Sequence, residues 1–397
     1  MKTLSRYVLA GLLTFVIGIL VYAYLAFPAA YVNRVLRWGD ADVYDYRKFP
    51  ERSLEASDSP FGFSRSTDQE RVRTLFESIA GVDDMDAFLA KNRTQAFLVI
   101  QDDTILYEGD YGGASRDTIV TSFSIAKSFA SALIGVTIAE GHIQSVDDPI
   151  TGYLPELAER DPAFGKISIR DLLMMSSGIR YAEFPFVNGD DAKTYYYPDL
   201  RQLALEETQI TGVAGERFHY NNYHPLLLGM ILERATGRSV AEYLEQKIWQ
   251  PMGTQYPGSW SLDEVGFEKM ESGINGRAID FAKFGRLFLH NGSWDGTQIL
   301  PEAWVSESTQ ADRTLDYDNY YYDDYIFADG KGYYKYMWWG IQRDGQRYDL
   351  IAEGNHGQFM YIVPDKNLII LRFGESYGGF RGSLGWLDLF YEFAGGI

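Results

Sequence analysis

A serine and a lysine three positions apart, Ser124 and Lys127, are the first residues in this sequence whose types and spacing could do chemistry. On a helix, residues i and i+3 share a face, so the lysine nitrogen can reach the serine oxygen. If apolar neighbours bury Lys127, desolvation lowers its pKa and makes a neutral amine available as a base. Ser124 would begin the helix, where free N–H groups favour developing negative charge. By itself S-x-x-K is a common pattern that often has no chemical role. Here it occurs once in the chain, and together with a second motif it predicts a nucleophilic serine.

A second polar cluster, Tyr220-Asn221-Asn222, precedes another predicted helix. A tyrosine hydroxyl held near a lysine can relay a proton to a leaving group. The amide of Asn222 can hold the lysine or a substrate carbonyl. The alternative is a Tyr/Asn-rich turn without a chemical role.

A competing serine signal, G-x-S-x-G, lies at residues 374–378. A nucleophile elbow needs an acid and a histidine after the serine, and no histidine follows Ser376. We therefore interpret this motif as a glycine-rich turn.

His219 and His224 are interpreted as structural residues.

The composition excludes several classes of protein. The 397 residues carry 36 Lys and Arg against 55 Asp and Glu, a net charge of −19 that argues against a nucleic-acid partner. The chain has no cysteine, which excludes thiol catalysis and zinc–thiolate or iron–sulfur sites. No phosphate loop or cluster of metal ligands is recognisable, so we expect neither a metal nor a cofactor.

The N-terminus resembles a membrane anchor. Residues 7–33 hold no formally charged side chain. About 20 apolar residues rising ~1.5 Å each match a hydrocarbon layer of ~30 Å. A cleaved signal peptide is the alternative, but the apolar run is long for one and lacks an Ala-x-Ala site. We expect residues 1–33 to be an anchor that contacts the bilayer through residues 8–29, and residues 34–73 to be a tether.

The orientation of this anchor follows less directly from the sequence. Lys2 and Arg6 favour a cytoplasmic N-terminus and a catalytic domain on the outer side, but arginines also flank the other end of the apolar run. We expect a single-pass protein of the cell membrane with its catalytic domain on the outer side.

The rest of the chain reads as strands, then helices, then strands. Residues 96–101 and 104–108 predict a hairpin, with Asp102 and Asp103 at its turn. Helical periodicity marks the stretches 123–140, 168–175, 225–236, 239–250, 278–290 and 384–393. Short β-rich runs at 349–352, 358–364 and 367–373 predict an antiparallel meander. The simplest packing is an α+β fold, an antiparallel sheet flanked by helices with an inserted all-helical region.

One segment, residues 317–336, has an unusual composition, with eight tyrosines and interleaved aspartates. The spacing of its aspartates lacks the glycine and the terminal glutamate that a calcium loop has at fixed positions. An exposed aromatic loop over a pocket is our preferred interpretation, and a surface-packed loop is the alternative.

These motifs resemble the serine β-lactamase and penicillin-binding-protein superfamily, in particular its class C and esterase/amidase branch. Ser124-Ile-Ala-Lys127 and Tyr220-Asn-Asn222 are similar to its S-x-x-K and Y-x-N motifs. Residues 167–178, 228–233 and 251–253 are similar to further landmarks in the same order. The resemblance runs from about Gln95 to the C-terminus and implies a β-lactamase/transpeptidase-like fold for the domain at 74–397.

The resemblance also implies roles for individual residues. Ser124 would be the acyl-forming nucleophile, Lys127 its base, Tyr220 the acid/base relay and Asn222 an active-site amide. The K-T-G or H-T-G element of penicillin-recognising members is missing. In its place, residues 352–358 are similar to 6-aminohexanoate-oligomer hydrolases and related esterases.

That last resemblance implies an oxyanion hole made by the backbone N–H groups of Ser124 and Asn355. His356 beside them has either a role in the chemistry or, preferably, a packing role.

We therefore predict a membrane-anchored serine hydrolase that cleaves a small ester or amide through acyl-Ser124. One alternative is a penicillin-binding protein or β-lactamase, which the missing K-T-G lysine disfavours. The other is a non-catalytic membrane-tethered binding protein with this fold, which intact Ser124, Lys127 and Tyr220 disfavour.

Overall fold

The computed structural model describes residues 2–66, 68–185, 188–312, 314–315, 330–380 and 382–397. Its helices are Lys2–Ala26 (α1), Ala29–Trp38 (α2), Glu70–Ala80 (α3), Met85–Lys91 (α4), Ile125–Ala139 (α5), Pro155–Arg160 (α6), Ile169–Leu173 (α7), Asp190–Tyr196 (α8), Leu200–Glu206 (α9), Tyr223–Thr236 (α10), Val240–Leu244 (α11), Ala278–Leu289 (α12), Glu302–Thr309 (α13) and Gly382–Gly396 (α14).

The strands of the described residues are Glu51–Leu54 (β1), Ser64–Arg65 (β2), Thr94–Gln101 (β3), Thr104–Asp110 (β4), Val120–Thr121 (β5), Gly258–Ser261 (β6), Ile274–Gly276 (β7), Ser293–Trp294 (β8), Thr297–Gln298 (β9), Gly332–Lys335 (β10), Trp338–Gln342 (β11), Tyr348–Gly354 (β12), Gln358–Val363 (β13) and Leu368–Gly374 (β14).

The main sheet joins strands from both ends of the hydrolase region. Its order is β10-β11-β12-β13-β14-β3-β4-β2, and only the short β2 runs parallel to its neighbour. The predicted hairpin is present as β3 and β4, because Asp102 and Asp103 adopt the positive φ angles of its tight turn. β14 pairs with β3, so the predicted meander and the predicted hairpin form one sheet.

Helices cover both faces of this sheet. On one face the buried helices α5 and α12 meet where the rings of Phe129 and Phe284 stack at 3.7 Å. On the other face α3 packs against α14, with the rings of Phe76 and Phe393 5.7 Å apart. Most of the remaining helices lie between β5 and β10 in the chain, which confirms the α+β architecture with its helical insertion.

A small second sheet, of order β1-β6-β7-β5, prepares the site. β5 ends two residues before Phe123, and its Thr121 pairs with Asn275 of β7. This pairing holds the start of α5 beside the segment that precedes β7.

The N-terminal region differs from the sequence-based expectation in two respects. Within the described residues, no helix has the length and apolar character that crossing a membrane requires. Residues 34–73, predicted as a tether, contain the end of α2, β1, β2 and the start of α3. Arg34 donates hydrogen bonds to the Tyr196 carbonyl at 3.0 Å and to Glu264 at 2.9 Å. β1 has only four residues, too few to show periodicity, and its partner β6 lies far along the chain.

The tyrosine-rich segment 317–336 lies mostly outside the described residues. Of its tyrosines, Tyr333 and Tyr334 belong to β10 and are buried, and Tyr336 follows that strand and is also buried.

Candidate active site

Ser124 is the N-cap residue directly before α5, and Lys127 lies one turn further on. The Ser124 backbone is helical, and its side chain does not cap the helix, so the hydroxyl is left for other partners. Nζ of Lys127 lies 2.7 Å from Ser124 Oγ. Only 1% of Lys127 is exposed, and this burial lowers the pKa of its amine to about 7. A substantial fraction of Lys127 is therefore neutral near pH 7 and able to accept a proton.

Tyr220 approaches the same serine from the segment before α10. Its phenol is hydrogen-bonded to the Ser124 side chain. Its ring centroid is 5.0 Å from Lys127 Nζ and 5.7 Å from the stacked ring of Trp339. Burial raises the pKa of Tyr220, which keeps the phenol protonated. The three side chains that the sequence singled out thus meet at one oxygen atom.

A residue that sequence reasoning missed, Glu271, holds the lysine from the other side. Its backbone carbonyl accepts a hydrogen bond of 2.9 Å from Lys127 Nζ. The pairing of β5 with β7 brings this carbonyl to the start of α5. No local pattern in the sequence announces such a long-range contact.

The turn after β12 comes close to the nucleophile. A Cβ atom at Gly354 would lie 2.3 Å from the Ser122 carbonyl oxygen, so only glycine permits this approach. Asn355 follows it and lines the same cleft as Ser124. Phe123, directly before Ser124, has a φ of 42°, a conformation that side chains other than glycine adopt at a cost.

Asn222 lies in the cleft but does not hold the lysine. Its Nδ2 donates to the Tyr181 hydroxyl at 2.8 Å and to Asp191 Oδ1 at 3.3 Å. The Tyr181 hydroxyl in turn donates to Asp191. The structure therefore disfavours the role of holding Lys127 and agrees with contact between the Asn222 amide and the substrate.

His356 packs at the edge of the site. Its Nε2 lies 2.7 Å from the Ala41 carbonyl oxygen, and its ring lies 5.2 Å from that of Phe123. It is not among the described residues that line the cleft, unlike its neighbour Asn355. This geometry favours the packing role.

The other two histidines near Tyr220 also have internal partners. His219 contacts the Tyr181 carbonyl at 3.0 Å, and the fully buried His224 contacts Ser177 Oγ at 2.6 Å. Burial lowers the pKa of His224 to about 3, so it stays neutral.

The cleft above Ser124 has a volume of about 810 Å³ and is acidic. None of its described lining residues is an arginine or a lysine. Its carboxylates come from five separate segments: Asp40, Glu183, Asp191, Glu271 and Glu353. Among the residues that the structure describes, no group of three acidic or histidine side chains could hold a metal ion.

The N-terminal segment forms part of the cleft wall, which the sequence did not predict. Asp40 and Ala41 line the cleft directly. The Tyr196 hydroxyl donates to the Gly39 carbonyl at 3.0 Å, and the Tyr195 hydroxyl donates to the buried Asp45 at 3.2 Å. These bonds fasten the segment to α8, whose side chains form the adjoining wall.

A family profile and several known proteins match this chain in sequence. The profile of the Beta-lactamase family matches residues 85–381. The 6-aminohexanoate-dimer hydrolase of Paenarthrobacter ureafaciens is 26% identical over 326 residues, which cover 77% of this chain and 79% of that protein. The D-aminopeptidase of Brucella anthropi is 32% identical over 132 residues, 33% of this chain but only 24% of that protein.

A solved structure from Bacillus anthracis, described as a candidate 6-aminohexanoate-dimer hydrolase, has the same fold. It matches with a TM-score of 0.72 at 23% identity and covers 91% of this chain and 93% of its own.

Proposed function

We propose that this serine hydrolase, which belongs to the Beta-lactamase family, cleaves an amide or ester bond through a covalent acyl-Ser124 intermediate. One observation carries the proposal. Lys127 Nζ lies 2.7 Å from Ser124 Oγ, and the Tyr220 phenol is hydrogen-bonded to the same side chain. A nucleophile with a base and a proton donor within hydrogen-bond reach is what acyl transfer requires.

In the acylation step, neutral Lys127 takes the proton of the Ser124 hydroxyl. Oγ then attacks the carbonyl carbon of the substrate, and the π electrons move to the carbonyl oxygen. The backbone N–H groups of Ser124 and Asn355 are proposed to stabilise that oxyanion. Tyr220 gives its phenol proton to the departing nitrogen or oxygen and takes up the proton that Lys127 carries. The carbonyl re-forms, the bond to the leaving group breaks, and the acyl group stays on Ser124.

In the deacylation step, a water molecule takes the place of the leaving group. Neutral Lys127 and Tyr220 remove a proton from this water, and its oxygen attacks the acyl carbon. The bond between that carbon and Ser124 Oγ then breaks, Oγ takes the proton back, and the acid product leaves. No group beyond these residues and water is needed to balance the reaction.

A fluorophosphonate probe tests the nucleophile. We expect the full-length protein to be labelled and the Ser124→Ala variant to remain unlabelled. Equal labelling of both proteins would remove Ser124 from the mechanism.

The charge of the cleft supports a substrate class. Five carboxylates line the cleft, of which Glu271 is paired with the buried Lys269, and none of the described lining residues is a lysine or arginine. The field of the cleft therefore attracts cations and repels anions. Of the two relatives described above, the D-aminopeptidase is named for an activity at a free amine, and a 6-aminohexanoate dimer carries a free amine together with a carboxylate. Small amides or esters that carry an amino group are therefore the proposed substrates.

The second candidate function, hydrolysis or binding of β-lactams, draws support from the family itself. It is disfavoured because a β-lactam presents a carboxylate, and the described cleft lining offers it no lysine or arginine. Turnover of nitrocefin, or a stable penicillin adduct on Ser124, would favour this candidate.

Residues 8–29 are proposed to attach the enzyme to the cell membrane. The support is the uncharged run at 7–33 and the exposure of large apolar side chains along α1, among them Leu12, Phe15 and Ile17. The hydrolase domain at 74–397 is proposed to lie on the outer side. Fractionation of cells tests the attachment, and protease accessibility in spheroplasts tests the side.

A further inference from the structure

Glu271 lies between two buried lysines. Its carbonyl oxygen is 2.9 Å from Lys127 Nζ, and its carboxylate oxygen Oε1 is 2.9 Å from Lys269 Nζ. Ser272 Oγ also donates to Oε1 at 2.9 Å. Glu271 is 3% exposed and Lys269 1% exposed, so this ion pair has almost no contact with solvent.

The pair is poorly explained by stability alone. The second carboxylate oxygen of Glu271, Oε2, is buried without a hydrogen-bond partner. Replacing a buried ion pair by apolar residues is often neutral or stabilising, whereas a buried oxygen without a hydrogen-bond partner is destabilising. The Glu271 carboxylate is therefore destabilising where it lies, and it is next to the proposed base. Together these facts indicate a functional role for its charge.

Lys269 fixes the carboxylate in place. Its ammonium donates to the Tyr195 carbonyl at 2.6 Å and lies over the rings of Tyr195 and Phe49, at 4.2 and 4.6 Å from their centroids. Since these contacts hold Lys269 from three sides, the carboxylate that it binds cannot turn away from the cleft wall.

We propose that Glu271 is a positioning residue for Lys127: its carbonyl orients the amine, and its carboxylate is the counter-charge for the ammonium that forms on Lys127 when Ser124 is acylated. The inference rests on the proposed function, because it concerns the proton that leaves Ser124. That proton moves from Oγ to the lone pair of Nζ, so a buried neutral amine becomes a buried cation. In a medium of low polarity such a cation needs a nearby negative charge.

Few other groups can serve this purpose. Of the groups beside Lys127, Ser124 gives up the proton and Tyr220 stays protonated. Lys269, which pairs with Glu271, carries the same charge as the product. Asp191 on α8 also interacts with Lys127, but it is exposed to water in the cleft, which screens its charge. The Glu271 carboxylate, unlike that of Asp191, is buried. The backbone carbonyl that accepts the hydrogen bond from Lys127 belongs to the same residue.

The Glu271→Gln variant tests the inference through a pH profile. Glutamine keeps the backbone carbonyl and the side-chain volume but removes the charge. We expect kcat to fall about 10- to 100-fold, and the acidic limb of kcat/KM to move to lower pH by about half a unit or more, because Lys127 then holds its proton less tightly. A merely structural role would not move this limb.

Asp280→Asn is the matched control. Asp280 and Lys283 form another fully buried pair, with 3.0 Å between Oδ1 and Nζ, and neither lines the cleft. We expect this variant to lose stability without any displacement of the acidic limb. If the acidic limb of kcat/KM lies at the same pH in Glu271→Gln as in the wild type and in Asp280→Asn, the inference is wrong.

A second variant covers the case in which Glu271→Gln does not fold. Ser272→Ala removes one donor from Oε1 and leaves the carboxylate less neutralised, so the limb should move slightly to higher pH, opposite to the first variant. An unmoved limb in Ser272→Ala would overturn the inference. Failure of the proposed function itself looks different, because wild-type Ser124 would then not be acylated at all.

Discussion

Gly354 lies against the backbone of Ser122, close enough that a Cβ atom would come within 2.3 Å of the Ser122 carbonyl oxygen and 3.0 Å of Phe123 Cβ. β12 therefore reaches the segment that carries the nucleophile without a side chain between them. This approach brings Asn355 to the same cleft as Ser124, where its backbone N–H group is the second donor of the proposed oxyanion hole.

Gly354→Ala should damage catalysis more than folding. The added methyl group forces the turn away from Ser124, and a misplaced oxyanion donor costs about 100- to 1000-fold in kcat. Overpacking of this kind lowers the free energy of unfolding by about 1–3 kcal/mol. Steady-state kinetics and chemical denaturation measure the two effects. Gly152→Ala, at a site with no atom within 4 Å, is the control and should change neither.

The pH dependence of activity should report Lys127. Because burial lowers its pKa to about 7, kcat/KM should rise about tenfold per pH unit below pH 7 and level off above it. Amine-bearing substrates that titrate in this range must be corrected for, or replaced by a neutral ester. A profile that is flat from pH 5 to pH 9 would contradict the assignment of Lys127 as the base.

The lowered pKa of Lys127 also predicts that the free energy of unfolding depends on pH. The unfolded amine keeps its proton up to its ordinary pKa of 10.5, whereas the folded one releases it near 7. Between these values the unfolded state binds more protons, so the contribution of Lys127 to the free energy of unfolding rises with pH. Denaturation of wild type and Lys127→Met at several pH values isolates this contribution. A difference that does not change with pH would contradict the shift.

Asp191→Asn should affect substrates according to their charge. The carboxylate faces the cleft, and losing it weakens attraction of a cation by about 1 kcal/mol, since water screens the interaction. KM for an amine-bearing amide should therefore rise about fivefold, while KM for an uncharged analogue of the same shape should stay constant. Equal changes for both analogues would argue against recognition of an amine at this position.

The sequence sufficed for features that depend on neighbouring residues. Ser124 and Lys127 share a helix turn, so their contact follows from helical geometry alone. The β3–β4 hairpin likewise follows from two apolar runs around Asp102-Asp103. The meeting of Tyr220 with this pair was predicted through the resemblance, since helical geometry does not link residues so far apart in the chain.

The remainder of the site depends on tertiary packing. Glu271 reaches Lys127 through the pairing of β5 with β7, and strands of two and three residues give no periodic signal. Asp40 and Ala41 reach the cleft because the buried apolar residues of α2 pack in one cluster with Ala192 and Tyr196 of α8. The segment was expected to be a tether, since its elements are too short to show a pattern.

Trapping the covalent intermediate tests the central claim most directly. A rapidly quenched reaction with a slowly hydrolysed ester is analysed by intact-mass spectrometry and peptide mapping. The account predicts a mass increase equal to the acyl group, located on the peptide that contains Ser124 and missing in Ser124→Ala. Turnover without any adduct on that peptide, or undiminished turnover by Ser124→Ala, would contradict it.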